Sequence, residues 1–224
     1  MNSTWRVEIG AVFRKEWLNE LRTRSGLISS LLFSVVAVVA IALAAFGRTP
    51  DPTVAAGLLW VTLVFSSVLA LPRSFIVEEE TGTADLLRLV ARPHAVFWGK
   101  ALFNLLQMLV TAALLSTLFL LLTSLPVTQS ELLIASLFGG CAALAFAVTL
   151  CGALVAQAAN RAALAGAIGV PLLLPLVLIA IGATRVSFGA GTMEGGLTSA
   201  IGLYGYALLM GSATPFLFAA VWKT

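Results

Sequence analysis

The chain has 224 residues, 60% of them hydrophobic and 10% charged, with a formal net charge of +3. A soluble domain carries about 25% charged residues, so this composition excludes an ordinary soluble core and points to a membrane protein. The basic residues form no stripe of the kind that nucleic acid requires, and no nucleic-acid partner is expected.

Residues 1–26 read as an amphipathic helix. Trp5, Ile9, Val12, Phe13, Trp17 and Leu21 recur at helical spacing, and Arg6, Arg14, Lys15, Asn19 and Arg22 fill other positions. Such a helix lies in the membrane interface with Trp5, Ile9, Phe13 and Trp17 at headgroup level. The pattern fits a simple anchor first, and after it an elbow that moves with the bundle.

Six apolar segments follow, near 27–46, 54–72, 101–125, 131–156, 163–183 and 197–221. Each approaches or exceeds the roughly 20 residues that cross about 30 Å of hydrocarbon. The first exceeds the usual signal-peptide core of about 7–15 residues and is expected to be a span. Arg6, Arg14, Lys15, Arg22, Arg24, Arg73, Arg88, Arg92, Lys100, Arg161 and Lys223 fall on one side of this arrangement. Only Arg48 and Arg185 fall on the other. Lysine and arginine gather on the cytoplasmic side, so both termini are predicted to be cytoplasmic.

The spans hold essentially no ionisable residues, which argues against a proton-driven carrier and an intramembrane hydrolase. Asn104, Gln107, Thr111 and Thr149 are expected to bond between helices. Cys141 and Cys151 stand about 15 Å apart along one helix, too far for a disulfide within it. The single histidine, His94, offers no ligand set, so neither a metal site nor direct haem binding is expected. Gly139, Gly140, Ala143, Ala147 and Gly152 mark the fourth span for close packing, and Gly166 and Gly169 the fifth. Pro171, Pro175 and Pro215 predict bends or local breaks.

The connector 73–100 holds four of the ten acidic residues: Glu78, Glu79, Glu80 and Asp85. Its acidic run is expected to be a polar extension beyond the second span, which ends near Pro72. Gly82 permits a sharp turn, Thr83 is a candidate N-cap, and Asp85 suits the first helical turn. Leu86, Leu87, Leu89 and Val90 then form an apolar ridge beside Arg88 and Arg92, and Pro93 ends the helix. A second helix begins near His94. The ridge with its acidic flanks fits a helix seated in the groove of a soluble partner, and equally an ordinary interfacial helix. At 28 residues the connector is too short to fold alone, and there is no Gly-x-x-x-x-Gly-Lys-Ser/Thr motif, so any ATPase is expected on another chain.

The run Gly57-Leu-Leu-Trp-Val-Thr-Leu-Val-Phe-Ser-Ser-Val-Leu-Ala-Leu-Pro-Arg-Ser-Phe75, followed by Glu78-Glu-Glu-Thr-Gly-Thr-Ala-Asp-Leu-Leu87, resembles the haem exporter protein B (CcmB-type) family. Gly99-Lys-Ala-Leu-Phe-Asn-Leu-Leu106 fits that family's entry to its third span. Asn160-Arg161 and Pro171-Leu-Leu-Leu-Pro-Leu-Val-Leu178 resemble its later part. Three glutamates replace the family's usual aspartate-containing run. The resemblance implies an all-α, six-span, ABC-2-like permease subunit of the cytochrome c maturation system, in the bacterial inner membrane. It implies no catalysis by this chain, with ATP on a CcmA-like subunit and haem on other partners. Those partners would be CcmC-like and CcmD-like membrane proteins and a CcmE-like periplasmic chaperone, with two copies of this chain per complex. The connector residues Glu78, Glu79, Glu80, Gly82, Thr83, Asp85, Leu86, Leu87, Arg88 and Leu89 would then couple to the ATPase. An ABC-2-type exporter of lipid, drug or polysaccharide and a non-transport scaffold fit the same pattern.

Overall fold

In a computed structural model, the described residues are 2–23, 25–45, 47–70, 73–156, 158 and 160–222, with no side-chain account of 2–4, 25–27, 161 and 162. Arg24, Pro72 and Lys223, and with them the predicted ends at 46 and 72, lie outside the described residues. The described chain is all helical: α1 (Asn2–Thr23), α2 (Ser25–Ala44), α3 (Pro52–Ala70), α4 (Arg73–Glu80), α5 (Thr83–Val90), α6 (Pro93–Thr123), α7 (Ser130–Ala156), α8 (Arg161–Ser187) and α9 (Met193–Trp222).

Five candidate spans are long and apolar enough to cross a membrane: Pro52–Glu80, Pro93–Thr123, Ser130–Ala156, Ala163–Ser187 and Met193–Trp222. A sixth is the bent pair Trp5–Thr23 and Ile28–Ala44, whose halves meet at 69°. The bend divides labour by composition. α1 carries all the charge of the pair's described residues, and α2 is a run of Leu, Val, Ile, Ala and Ser. If α2 stands across the bilayer, α1 runs close to its surface.

α7 is the packing centre, touching α6, α8, α9, α4 and α3. Its glycines permit this. A Cβ on Gly140 would stand 2.0 Å from Cη2 of Trp60, whose ring is fully buried. Trp60 in turn donates from Nε1 to Thr184 Oγ1 at 2.8 Å, and Ser136 Oγ lies 3.2 Å from the same hydroxyl. One indole thus locks α3 to α7 and α8 by shape and by a satisfied polar contact.

The prolines do not break their helices. α8 runs through Pro171 and Pro175, and α9 through Pro215. A neighbour takes up one backbone carbonyl in the proline region, because Tyr206 of α9 donates its hydroxyl to Leu172 O at 2.6 Å. Of the expected glue, Asn104 Nδ2 of α6 donates to Thr149 Oγ1 of α7 at 2.8 Å, whereas Gln107 Nε2 is buried without a hydrogen-bond partner among the described residues.

α1, α4, α5, the start of α6 and the end of α9 gather at one end of the bundle. There Phe75, Phe97, Phe218 and Trp222 form an aromatic cluster with ring centroids 5.0–6.4 Å apart. The connector is therefore three helical pieces resting on a packed base.

Filling the Gly140 gap is expected to destabilise the bundle. Gly140→Ala should cost about 1–3 kcal/mol by overpacking against Trp60, read as a lowered melting temperature of the detergent-purified chain. Gly205→Ala, where a Cβ would meet nothing within 4 Å, should melt like the wild type.

Candidate functional site: the connector and its buried charges

The connector begins with α4, which carries Glu78 inward. Sequence reasoning placed Glu78 on an acidic rim; the structure buries it. Lys100 of α6 is 0% exposed, and its Nζ lies 2.9 Å from Glu78 Oε1 and 2.7 Å from Glu16 Oε1. It also donates to Ser74 Oγ at 3.1 Å and stands 4.5 Å from the centroid of the Phe75 ring. Lys15 of α1, partly exposed, closes the group by pairing with Glu16 at 3.1 Å and with Glu78. Two lysines and two glutamates from α1, α4 and α6 thus form one neutral cluster.

Burial would raise the Glu16 carboxyl, but the charges of Lys100 and Lys15 and their hydrogen bonds outweigh it and hold Glu16 below its ordinary value of 4.5. Burial would likewise lower the Lys15 ammonium, and the opposing pull of Glu16 and Glu78 raises it above 10.5.

α1 can approach α6 because position 99 is glycine. A Cβ there would lie 2.6 Å from Cβ of Val12 and 3.1 Å from the Ile9 carbonyl. Of the predicted interfacial residues, Ile9 and Phe13 are half-buried and Trp5 and Trp17 remain exposed. Phe13 stacks on Trp17 at 6.5 Å and meets Phe103 of α6 edge-on at 6.2 Å. α1 therefore has two faces, one docked on α6 and one open.

The turn after α4 departs from expectation in one detail. Thr83 does not cap α5. Gly82 holds the cap position with φ 68°, a left-handed backbone that favours glycine. Thr83 is the first helical residue, and its hydroxyl points back to Glu78 O at 3.4 Å and to Thr81 Oγ1 at 3.0 Å. Asp85 lies in the first turn and accepts from Arg88 Nη1 at 2.6 Å. Arg88 Nη2 reaches Glu79 Oε2 at 3.2 Å, and its guanidinium lies 5.0 Å over the Trp222 ring. Leu87 packs against the aromatic cluster and Ala84 is buried.

The predicted ridge is thereby split. Leu87 and Arg88 face the bundle. Leu86, Leu89 and Val90 face outward at 63%, 83% and 84% exposure. They sit at i, i+3 and i+4, so they share one side of α5. Glu79 is half-buried and Glu80 exposed. Pro93 opens α6 and does not close α5, which ends at Val90 before the extended Ala91 and Arg92.

Sequence reasoning missed Glu16 and Lys100. In the sequence Lys100 counts as a topology charge, and only its position beside Gly99, in an apolar stretch, hints at burial. Among the described residues, no three His, Cys, Asp or Glu come together as a metal would require. His94 packs on the Phe216 ring at 5.6 Å. An apolar groove of about 810 Å³ lies between α3 and α8 with Cys151 in its wall. It has neither an imidazole nor a cation to hold a haem.

The model of the CcmB protein family matches residues 7–223. The chain belongs to the CcmB family. A comparison with curated proteins finds no match. CcmB proteins are membrane subunits of the haem-exporting ABC system of cytochrome c biogenesis. The connector α4–α5 and the cluster beneath it are thus features of a multi-pass membrane subunit of that system.

Removing the central cation should be severe. Lys100→Met leaves two buried carboxylates, Glu16 and Glu78, to share the single partly exposed Lys15, one negative charge in excess, at a cost of about 3–5 kcal/mol. Combining it with Glu16→Gln and Glu78→Gln should restore much of the melting temperature. The depressed Glu16 carboxyl stabilises fully above its ordinary value of 4.5, and this is lost as pH falls through its lowered value in the fold. Wild-type melting should therefore drop steeply on acidification, and the Glu16→Gln profile should be flatter.

Proposed function

We propose that this chain is the permease subunit through which ATP hydrolysis on a separate CcmA-like subunit drives haem export, or release of the haem-loaded chaperone, in c-type cytochrome biogenesis. The observation that supports this most directly is the two-sided character of α5. Its outer side carries exposed Leu86, Leu89 and Val90, and its inner side is held by Leu87 packing and the Arg88 contacts. An apolar ridge on a short helix suits a groove in a soluble domain.

A displacement of α5 reaches α4 through Gly82 and the Arg88–Glu79 pair. The charge cluster then passes it to α1 and α6 together, because Glu78 cannot leave Lys100 without uncovering a buried charge. Glu80 and Asp85 supply acidic flanks to the docking side. The lysine and arginine distribution supports a cytoplasmic position for this end and for both termini, in a bacterial inner membrane. Haem would be held by CcmC-like and CcmE-like partners, with a CcmD-like subunit beside them. Two copies of this chain would serve two ATPase copies.

The test is ATPase activity of the complex co-purified with its ATPase subunit. Leu89→Asp with Val90→Asp should reduce stimulation about tenfold or more, since two desolvated contacts are lost, while the chain alone melts as before. Unchanged stimulation would show that α5 is not the docking element. Normal levels of every c-type cytochrome in a deletion strain would instead favour an exporter of another substrate.

A further inference from the structure

The open face of α1 shows a separation of charge that composition conceals. Two of the three acidic residues of α1 turn toward the protein, Glu16 into the buried cluster and Glu8 to pair with Arg92 at 3.6 Å, and the third, Glu20, is half-buried. Arg6, Arg14 and Arg22 stay exposed, and among the described residues none has an acidic partner within ion-pair distance. They recur every eight residues, about 12 Å apart along the axis. Between them stand exposed Val7, Trp17, Leu18 and Leu21. Beside Arg14 lies a cavity of about 240 Å³, lined by Phe13, Trp17 and Leu106 together with Arg14 itself. The Phe13–Trp17 stack makes one wall stiff, and Leu106 of α6 makes the other.

From these observations we propose that the α1–α6 groove binds an anionic phospholipid. The Arg14 guanidinium takes the phosphate, an acyl chain lies along Phe13, Trp17 and Leu106, and Arg6 and Arg22 extend the cationic surface to neighbouring headgroups. The chemistry selects a lipid over an acidic protein. Unpaired cations alone would suit either, but here they alternate with exposed apolar side chains on a helix at 69° to the apolar α2. That combination matches the headgroup boundary, where arginines meet phosphate and the apolar groups enter the acyl region. A groove open to the same boundary adds a place for one particular chain. Because Glu16 and Val12 fasten the other face of α1 to α6, a lipid held here braces α1 against α6. The inference does not depend on the coupling role of α5.

The test uses the full chain in nanodiscs containing equal phosphatidylglycerol and phosphatidylcholine, released into the gas phase for native mass spectrometry. The wild type should retain phosphatidylglycerol in preference to phosphatidylcholine, and less of it as salt rises. Arg14→Gln should weaken retention about fivefold, the effect of losing one cation worth about 1 kcal/mol at a charged bilayer. Arg14→Lys should keep most of it. Equal retention of both lipids by the wild type, or salt-independent retention, overturns the proposal even if a variant fails to fold. So does Arg14→Gln behaving as wild type, or its losing the ATPase subunit while lipid selection is unchanged, which would assign the surface to an acidic protein.

Discussion

The arrangement at the connector end depends on Lys100. A lysine with no exposed surface is tolerated only where opposite charge and hydrogen bonds replace its water. Glu16, Glu78 and Ser74 supply these from two other helices, with Lys15 balancing the second carboxylate. The cluster need not add much net stability, because desolvation offsets much of its attraction. Its consequence is geometric. α1, α4 and α6 cannot separate by more than a small shift without exposing or orphaning a charge, so they move as one body.

That constraint gives meaning to the helices around it. α4 brings Glu78 inward, and its extension α5, turned away at Gly82, carries Leu86, Leu89 and Val90 outward. The aromatic base of Phe75, Phe97, Phe218 and Trp222 supports both α4 and α5, and the Arg88 guanidinium over Trp222 ties the short helix down. Midway along α3 and inside α7 the lock is made of shape, with Trp60 against Gly140 and the indole bonded to Thr184. A polar lock at the connector end and an apolar one within the bilayer follow the surroundings of each. Near the surface, charges can be completed by neighbours, and in hydrocarbon small residues let helices touch.

The open face of α1 belongs to the same economy of charge. Glu16 and Glu8 turn inward to pair with Lys100 and Arg92, and among the described residues Arg6, Arg14 and Arg22 have no acidic partner. A helix that composition describes as mixed becomes cationic and apolar on one side and acidic and packed on the other.

Composition and periodicity determined that this is an all-helical membrane protein with several apolar helices, and that a short helix interrupts the connector. The Arg-Ser-Phe to Asp-Leu-Leu run was enough to show the family resemblance. These are legible because hydrocarbon length, helical period, and glycine and proline chemistry act locally along the chain. The tertiary structure decided which charges are free. Glu78 passed from rim to core, Lys100 from topology marker to centre of the cluster, and Glu16 entered from a helix 84 positions away. It also decided that Gly82, with its left-handed backbone, caps α5 in place of Thr83, and that Pro171 and Pro175 sit in an unbroken helix. Each outcome rests on a contact between residues distant in sequence or on a choice among competing local bonds. A pattern read along one strand of sequence carries no information about the partner that meets it from another helix.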